Sequence, residues 1–325
     1  MKYNTVLVRM ISGYHLLCIK IILPAIFGVA DWGFKQYIKY EPGEMNLIIT
    51  VPHGGSLDPT TQSNGRRWPY RKNGCEGTNG ECIWTHGCGL KSAKCIALIK
   101  RDDFTMRIAR DIANEIKAIT GFRPHVVYNM MRRTKLDANR EIDEATFNIS
   151  DAITAYHDYA SFINKARSSI TGREFRRGTG RGLLLDIHGS ADHVQRTVLG
   201  YLVHGKYLDR GDYSMDMSSI RSLGKHWCGT DNVCFKEFVQ GNRSLGYFMN
   251  QQGLHAIPSP QSKKRKSAVR IYLSGGYTVA KFGSRDGGNV DGIQLEFSRA
   301  LRSRWNNSAT NKVVRAILNF YKFNY

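Results

Sequence analysis

The apolar residues of this chain fall into short continuous runs that end abruptly in polar or glycine-rich turns. Four of these runs cover residues 47–51, 126–128, 182–187 and 292–295. Runs of this length without alternation are typical of strands that are buried on both faces of a largely parallel sheet. The pattern therefore predicts at least four central strands.

Segments with helical periodicity lie between these runs. Residues 105–119 place Ile108, Ile112, Ile116 and Ile119 at helical spacing, residues 144–170 form a long amphipathic stretch, and residues 313–323 resemble a closing helix. Strands that alternate with helices indicate an α/β fold, with three αβα layers around a mixed, mostly parallel central sheet. In such folds, sites gather at the carboxyl ends of the strands.

The first 30 residues have the composition of a signal peptide. They contain no acidic side chain, and the apolar run at residues 21–30 follows Lys2, Arg9 and Lys20. Arg9 and Lys20 interrupt the stretch too early for a transmembrane helix, which is the competing interpretation. We therefore expect an exported protein, with residues 31–325 forming one catalytic domain that carries a cysteine-rich insertion at about residues 58–95.

The cysteines agree with export. Cys18 lies in the predicted signal, and an even number remains, which predicts three disulfides in an oxidising compartment. Four of them fall in the glycine-rich residues 73–95 without any Cys-x-x-Cys pair, which argues against a zinc ribbon. Triplets at Asn148, Asn242 and Asn306 match the N-glycosylation pattern, consistent with a secreted chain.

The chain is strongly basic. Its 47 basic and 27 acidic side chains give a formal charge of +20, which favours anionic substrates or surfaces. The basic run at residues 263–266 matches a nuclear signal, a nucleic-acid patch, a protease-cut site or a solvated loop, and the last is the simplest interpretation. No motif of interleaved aromatic and basic residues supports nucleic-acid binding.

Two histidines follow or end apolar strands. His53 comes directly after the first predicted strand and precedes Gly54 and Gly55, which allow a ligand or backbone to approach closely. His188 lies two residues after Asp186, on the same face of a strand, so the carboxylate can orient the imidazole as an outer partner. A single buried histidine is more often structural, but two in matching contexts favour a metal site.

Two further segments carry candidate chemistry. Glu296 interrupts the last apolar run, where a carboxylate beside a metal can remove a proton from water; its alternative is an exposed strand residue. Arg133, Asn139 and Arg140 offer guanidinium and amide groups that can hold a carboxylate bidentately. The alternative for that segment is the charged start of a surface helix.

In order along the chain, these segments resemble the pattern of N-formylglutamate amidohydrolase-like proteins, over residues 47–302. That family has a strand followed by His and Gly, an acidic residue and Thr before a helix, Arg with Asp-x-Asn-Arg, Asp-x-His, a Gly-Gly-Tyr turn and Gln-x-Glu. The matching residues here are His53-Gly54-Gly55, Asp102 with Thr105, Arg133 with Asp137-Ala138-Asn139-Arg140, Asp186-Ile187-His188, Gly275-Gly276-Tyr277-Thr278 and Gln294-Leu295-Glu296.

The resemblance implies a phosphorylase/hydrolase-like fold similar to that of the zinc carboxypeptidases. It implies one zinc ion held by His53 and His188, with Glu296 as the general acid and base. It also implies that Arg140 and Asn139 hold the carboxylate of the substrate.

The third zinc ligand is left more open by the resemblance. Carboxypeptidases take it from an acidic residue three positions after the first histidine, where this chain has Ser56. Asp102 matches the acidic position of the amidohydrolase pattern and is the expected ligand, with Asp103 and Asp58 as alternatives. His193, close to the second histidine, either assists in transition-state stabilisation or caps the loop.

The expected function is that of a secreted, zinc-dependent hydrolase that cleaves an amide bond in a carboxylate-bearing substrate with metal-activated water. Because the cysteine-rich insertion, the export signal and the basic surface depart from the bacterial pattern, we expect an extracellular N-acyl amino acid, peptide C-terminus or γ-glutamyl substrate. We expect no nucleic-acid partner and no membrane insertion after signal cleavage. The alternative is a catalytically inactive binding protein that uses its basic surface to hold an acidic polymer.

Overall fold

A computed structural model describes residues 29–69, 99–171, 180–191, 196–263 and 272–325. Nearly all of the predicted signal peptide, the four cysteines of the insertion, His193 and most of the basic run at residues 263–266 lie outside the described residues. Within the described ranges, the strands are β1 (Asp31–Trp32), β2 (Ile38–Glu41), β3 (Leu47–Val51), β4 (His125–Asn129), β5 (Gly182–Ser190), β6 (Thr197–Gly200), β7 (Ala256–Ile257) and β8 (Val290–Ser298). The helices are α1 (Thr105–Thr120), α2 (Ile142–Thr146), α3 (Ser150–Thr171), α4 (Gly205–Arg210), α5 (Arg221–Cys228), α6 (Asn232–Val239), α7 (Leu245–Gln251), α8 (Pro260–Lys263), α9 (Tyr277–Phe282), α10 (Arg299–Ser303) and α11 (Asn307–Asn324).

The eight strands form one mixed sheet in the order β1-β2-β4-β3-β5-β8-β6-β7. Its four central strands, β4, β3, β5 and β8, run parallel, whereas β1, β2 and β6 pair antiparallel with their inner neighbours. The four strands predicted from apolar runs are these central four. The α/β class with a mostly parallel central sheet is therefore confirmed.

Helices cover both faces of the sheet and make three layers. Along β3, Leu47 and Ile49 face one core while Ile48 faces the other, because neighbouring side chains of a strand point to opposite faces. Helices α1, α5, α6, α7 and α11 line the first core, and α3 and α9 line the second. Burial of each such aliphatic side chain contributes about 1.5–3 kcal/mol, so the two cores hold the sheet rigidly between them.

Helix α1 follows the predicted periodicity, with one exception. Ile108, Ile112 and Ile116 are fully buried against the sheet, but Ile119 is 52% exposed. The helix ends one residue later at Thr120, and Gly121 closes it in the left-handed conformation with φ of 78°. Ile119 keeps the helical spacing of the other three isoleucines, but it lies in the last turn of the helix and is exposed.

The long helix predicted at residues 144–170 is two helices. Phe147 and Asn148 adopt positive φ angles of 51° and 56°, which end α2 at Thr146 and let α3 begin at Ser150. The left-handed region is incompatible with a continuing right-handed helix. Apolar spacing alone does not reveal this break, because both helices bury alanines on the same side.

The closing helix is longer than its apolar stripe. Helix α11 begins at Asn307, and the side-chain oxygen of Asn306 caps it by accepting a hydrogen bond from the Ala309 amide at 3.0 Å. Polar residues in the first turn concealed this start from the periodicity. The short strands β1, β2, β6 and β7 and the run of helices from α4 to α8 were not predicted either.

One disulfide lies in the described part of the chain. It joins Cys228, the last residue of α5, to Cys234 in α6. This pairing agrees with the expected disulfides, and the other four candidate cysteines lie outside the described residues. Among the described helices, none has the length and apolar character to cross a membrane.

Asp291 of β8 is a buried acid in the core between the sheet and α5. Its carboxylate accepts hydrogen bonds from the Ser284 hydroxyl at 2.5 Å, the Leu223 amide at 3.2 Å and the Tyr325 hydroxyl at 3.0 Å. Complete burial nevertheless raises the pKa of Asp291 to about 6. The folded state therefore favours the protonated acid.

We expect an Asp291→Asn variant to reveal the free energy that ionisation of the buried Asp291 costs the folded state. The folded pKa lies above the unfolded value, so the contribution of Asp291 to stability is fully present at acidic pH and is lost as the pH rises through about 6. The free energy of unfolding of the wild type should fall by about 2–3 kcal/mol relative to the variant between about pH 4 and pH 8, since each pKa unit corresponds to about 1.4 kcal/mol. Urea titrations at each pH measure it, and parallel profiles for the two proteins would contradict the raised pKa.

Candidate metal centre

The central strands bring the candidate residues to one edge of the sheet. Strand β3 ends at Val51 and delivers His53, while His188 of β5 and Glu296 of β8 are register partners in the parallel ladder. Register partners on parallel strands point their side chains to the same face. Asp186 and Gln294 are also register partners, two residues earlier on each strand, so they share that face.

His53, Asp102 and His188 form a buried group of potential metal ligands. One ligand atom from each lies within 4.8 Å of the others. The Oδ2 atom of Asp102 is 3.5 Å from Nδ1 of His53 and 3.2 Å from Nδ1 of His188. The two rings meet edge to face, with centroids 4.8 Å apart. The three side chains can therefore hold one metal ion between them.

The alternatives to Asp102 point elsewhere. Asp103 is exposed and pairs with Arg101 at 2.7 Å. Asp58 lies 3.6 Å from Arg132 and 3.8 Å from Lys135. Asp102 is thus the carboxylate that the structure brings to the two histidines.

Each histidine is held from behind by a fully buried carboxylate. Nε2 of His53 lies 2.5 Å from Asp137 Oδ1, and Nε2 of His188 lies 2.8 Å from Asp186 Oδ2. With the ring proton on Nε2, each imidazole donates to its carboxylate, and its Nδ1 lone pair is then available to a metal ion. Carboxylate-oriented imidazoles of this kind are typical of metal ligands.

The local chemistry fits a cation. Nδ1 of His53 is buried and has no hydrogen-bond partner among the described residues, which is costly unless it binds something. The carboxylates of Asp102, Asp137 and Asp186 are all buried around the two imidazoles. Buried negative charge is destabilising unless a positive charge balances it, and a divalent ion at the two Nδ1 atoms would do so.

The electrostatics of the side chains support the same interpretation. Burial opposes ionisation of Asp102, but the hydrogen bond with His188 and the charges of His53 and His188 hold its pKa far below the usual value. Burial lowers the pKa of His188, yet the Asp186 charge and the hydrogen bonds to Asp102 and Asp186 raise it well above the usual value. The site thus favours positive charge at His188, and a metal ion can take the place of its proton.

Backbone contacts hold Asp102 in place ahead of α1. Its amide donates to the His53 carbonyl at 3.1 Å, and its carbonyl accepts from the Thr105 hydroxyl at 2.7 Å. The Gly189 amide donates to Asp102 Oδ2 at 3.0 Å. These hydrogen bonds fix Asp102 relative to His53, Thr105 and Gly189.

Gly54 permits this arrangement by leaving room for α1. A Cβ atom at residue 54 would overlap the Thr105 hydroxyl and the side chain of Met106. Glycine therefore lets the first turn of α1 pack directly on the backbone that follows His53. The sequence predicted that a ligand or the backbone approaches closely here, and the structure shows that the start of α1 does so.

Glu296 lies on the same face as His188 and is partly buried. Its Oε1 atom accepts a hydrogen bond from Gln294 Nε2 at 2.8 Å. Burial raises the pKa of Glu296, the charge of His188 lowers it, and the charge of Asp102 raises it again, so that the net pKa lies above the usual value. A carboxyl group of this kind is suited to both accept and release a proton.

The predicted substrate-binding residues lie at different depths. Nδ2 of Asn139 is 3.4 Å from His188 Nε2, so this amide borders the metal group. Arg133 is buried and donates to Asp137 Oδ2 at 2.8 Å, which places it behind His53. Arg140 donates to Glu144 at 2.9 Å and to the Asn139 carbonyl at 2.7 Å. His193 lies outside the described residues.

Sequence reasoning gave no role to Asp137 or Thr50. Asp137 holds His53 as Asp186 holds His188, and the hydroxyl of Thr50 donates to Asp186 Oδ1 at 2.6 Å. Asp137 was visible in the Asp-Ala-Asn-Arg segment, but its separation of 84 residues from His53 conceals the contact. Thr50 had a weaker signal, as the polar residue in an otherwise apolar strand.

Comparisons with known proteins add similarity in structure alone. No protein-family profile matches the sequence, and no curated protein sequence matches it. Among solved structures, the chain is similar to N-formylglutamate amidohydrolase from Ralstonia eutropha, at 11% identity and a TM-score of 0.42, over 88% of this chain and 97% of that one. It is also similar to a gene product of Agrobacterium tumefaciens, at 11% identity and a TM-score of 0.41, over 88% and 96% of the two chains. Similarity at this level carries no argument about function, and membership of the amidohydrolase family stays a prediction.

We expect the outer carboxylates to control metal affinity. Asp137→Asn and Asp186→Asn should each weaken zinc binding by about 10-fold to 100-fold, because an amide orients the imidazole but no longer increases its basicity. Competition with a chromogenic chelator measures the dissociation constant. Asp291→Asn is the matched control, since it makes the same change at a buried aspartate of β8. Equal affinities in all four proteins would rule out the proposed roles of Asp137 and Asp186.

Proposed function

We propose that this protein is a zinc-dependent hydrolase that cleaves an amide bond in a carboxylate-bearing substrate. The observation that carries the proposal is the buried group of His53, Asp102 and His188, in which two carboxylate-oriented imidazoles face one carboxylate. Glu296 lies opposite His188 on the neighbouring strand. This combination matches the requirements of metal-assisted hydrolysis.

Zinc is the metal that the donor set favours. Two imidazole nitrogens and one carboxylate oxygen, with a further position left for water or substrate, are typical of catalytic zinc. When bound, the ion would polarise the substrate carbonyl and lower the pKa of water at the site. The protein supplies the rest of the chemistry through its own side chains.

Glu296 is proposed to move the proton. It would accept a proton from the attacking water and transfer it to the nitrogen of the leaving amine. Its raised pKa, caused first by burial, allows the protonated form to persist long enough for that transfer. Gln294 holds the carboxylate through its side-chain amide, which leaves the other oxygen to act on water.

Asn139 and Arg140 are proposed to bind the substrate carboxylate. The Oδ1 atom of Asn139 accepts from the Thr278 amide at 2.7 Å, which fixes the side chain with Nδ2 beside Nε2 of His188. Arg140 is partly buried next to it, and its guanidinium is oriented by Glu144. We assign Arg133 a supporting part in this clamp, because its hydrogen bond to Asp137 connects it to His53.

The proposed setting is extracellular. The disulfide between Cys228 and Cys234 is of the kind that persists in oxidising compartments. An extracellular N-acyl amino acid, a peptide C-terminus or a γ-glutamyl compound would provide both the amide and the carboxylate. The basic character of the chain favours such anionic substrates.

A second candidate function rests on the surface of α10 and α11. The sequence from residue 299 to residue 325 contains no acidic residue, and it exposes Arg299, Arg304, Lys312, Arg315 and Lys322. A surface of this kind attracts polyanions with an affinity that falls as salt is added. A catalytically inactive protein that holds an acidic polymer is therefore the alternative.

The first test is the metal content of the purified protein. We expect about one zinc ion per chain in the wild type and none in a His53→Ala, His188→Ala double variant, since the group loses two of its three ligands. Elemental analysis measures both. Absence of metal from the wild type would contradict the hydrolase and favour the polymer-binding protein.

The general base is tested separately. Glu296→Gln should keep the zinc and lose about 100-fold to 10,000-fold in kcat, because the amide cannot accept the proton. The rate is followed by release of free amine from a panel of N-acyl amino acids. Unchanged turnover in this variant would remove Glu296 from the mechanism.

If Arg140 and Asn139 bind the substrate carboxylate, loss of Arg140 should reduce the preference of the enzyme for substrates that carry a carboxylate. Arg140→Ala should lower kcat/KM for an N-acyl amino acid by about 10-fold to 100-fold, the usual effect of one charged hydrogen bond. The same variant should leave kcat/KM unchanged for the corresponding amide, which has no carboxylate. Arg132→Ala, with a half-exposed side chain in the same segment, is the control. Equal losses on both substrates would mean that Arg140 does not contact the carboxylate.

A further inference from the structure

Arg302 of α10 is a buried cation whose hydrogen bonds go to the backbone. Only 7% of the surface of Arg302 is exposed. Nε donates to the Phe297 carbonyl at 3.0 Å, Nη1 to the Asp103 carbonyl at 2.6 Å and Nη2 to the Ser190 carbonyl at 3.0 Å. Burial of a guanidinium is costly, so three hydrogen bonds of good geometry are needed to offset it.

Each of the three carbonyls belongs to a residue within two positions of a residue of the metal centre. Asp103 follows Asp102, and Phe297 follows Glu296. Ser190 lies two residues after His188. One planar guanidinium, with donors in a fixed geometry, therefore connects the segments that carry two ligands and the general base.

Asp102 depends on such a connection more than His188 does. His188 and Glu296 are fixed by the nine-residue ladder between β5 and β8. Asp102 instead lies outside the sheet, in the turn ahead of α1, and its position is set by individual hydrogen bonds. The bond from Arg302 to the Asp103 carbonyl ties that turn to the ends of β5 and β8.

The packing of Gly189 points to the same arrangement. Its amide donates to Asp102 Oδ2 at 3.0 Å, and a Cβ atom at this residue would overlap the guanidinium of Arg302. The guanidinium thus occupies the space that any larger residue at position 189 would need. The ligand carboxylate, Gly189 and Arg302 form one packed unit.

The charge of Arg302 acts on the same residues. Its electrostatic neighbours include the carboxylates of Asp102, Asp103 and Glu296. A fixed positive charge beside these groups offsets part of their buried negative charge. Lysine at this position would keep the charge but lose the three-way geometry.

We propose that Arg302 is a positioning residue of the metal centre, which sets Asp102 and Glu296 relative to His188 by holding the carbonyls of Asp103, Phe297 and Ser190. This inference rests on the proposed zinc site. Arg302 contacts neither metal nor substrate. Its effect passes through the turn that carries Asp102.

The test compares Arg302→Lys and Arg302→Gln with the control Arg299→Gln, which removes an exposed guanidinium from the same helix. We expect the zinc dissociation constant to rise by about 10-fold or more in Arg302→Gln, the effect usual for outer partners of a ligand, and to stay unchanged in the control. Arg302→Lys should not restore the zinc affinity of the wild type. The visible d–d absorption of the cobalt(II) forms should also change in both Arg302 variants, because it reports ligand geometry at the ion, which a purely structural role would leave alone.

Amide hydrogen exchange gives a readout that needs no metal. In Arg302→Gln, exchange of the Gly189 amide should accelerate by about tenfold or more relative to the amides of Leu184 and Leu185 on the same strand, because its acceptor Asp102 is no longer held. The strand amides correct for any general loss of stability. Gly189→Ala, which displaces the guanidinium from the other side, should give the same cobalt spectrum as Arg302→Gln.

The outcomes separate the two proposals. If the wild type binds zinc and the Arg302 variants match it in affinity, cobalt spectrum and Gly189 exchange, the assignment of Arg302 is wrong and the zinc site stands. If the wild type binds neither zinc nor cobalt, the metal centre is wrong and the assignment of Arg302 falls with it.

Discussion

The parallel pairing of β5 with β8 is the constraint on which the site depends. Nine residues of each strand lie in register, and this register alone decides that His188 faces Glu296 and that Asp186 faces Gln294. A slip of one residue would turn all four side chains to the opposite face and bury them in the other core. The apolar residues between them prevent that slip, because Leu183, Leu185, Ile293 and Leu295 fill the first core in the same alternation. The hydrophobic pattern thus sets the geometry of the polar site.

The second constraint is charge. The carboxylates of Asp102, Asp137 and Asp186 are buried within reach of two imidazoles, and each has its own partner: Arg133 for Asp137, Thr50 for Asp186 and the Gly189 amide for Asp102. These partners satisfy hydrogen bonds, but only one of them carries charge. The negative charge that these partners leave unbalanced makes the group suited to a cation. Stability and metal binding are linked here, since a ligand that binds only the folded chain stabilises it.

Much of this structure was predictable from the sequence, and the limits have physical causes. Buried parallel strands are recognisable in a sequence as continuous apolar runs. The four central strands, and the histidines near their ends, were therefore predicted. The split between α2 and α3 was missed because left-handed residues such as Phe147 leave no mark in the apolar spacing. The short edge strands were missed because two to four residues carry too little pattern. Asp137 and Arg302 were missed for another reason: their partners lie far away in the chain, and only the fold brings them together.

Gly189 gives this centre a consequence for its evolution. The amide of that residue donates to Asp102, and the guanidinium of Arg302 fills the space beside its Cα, so a larger residue at position 189 would require Arg302 to move. Aspartate and glutamate both offer carboxylate oxygens to a metal, so one can serve in place of the other. A glycine required by a neighbouring guanidinium has no such substitute. In distant relatives whose overall identity has faded, the joint retention of glycine and arginine at these two places would therefore trace common descent further back than the ligands themselves.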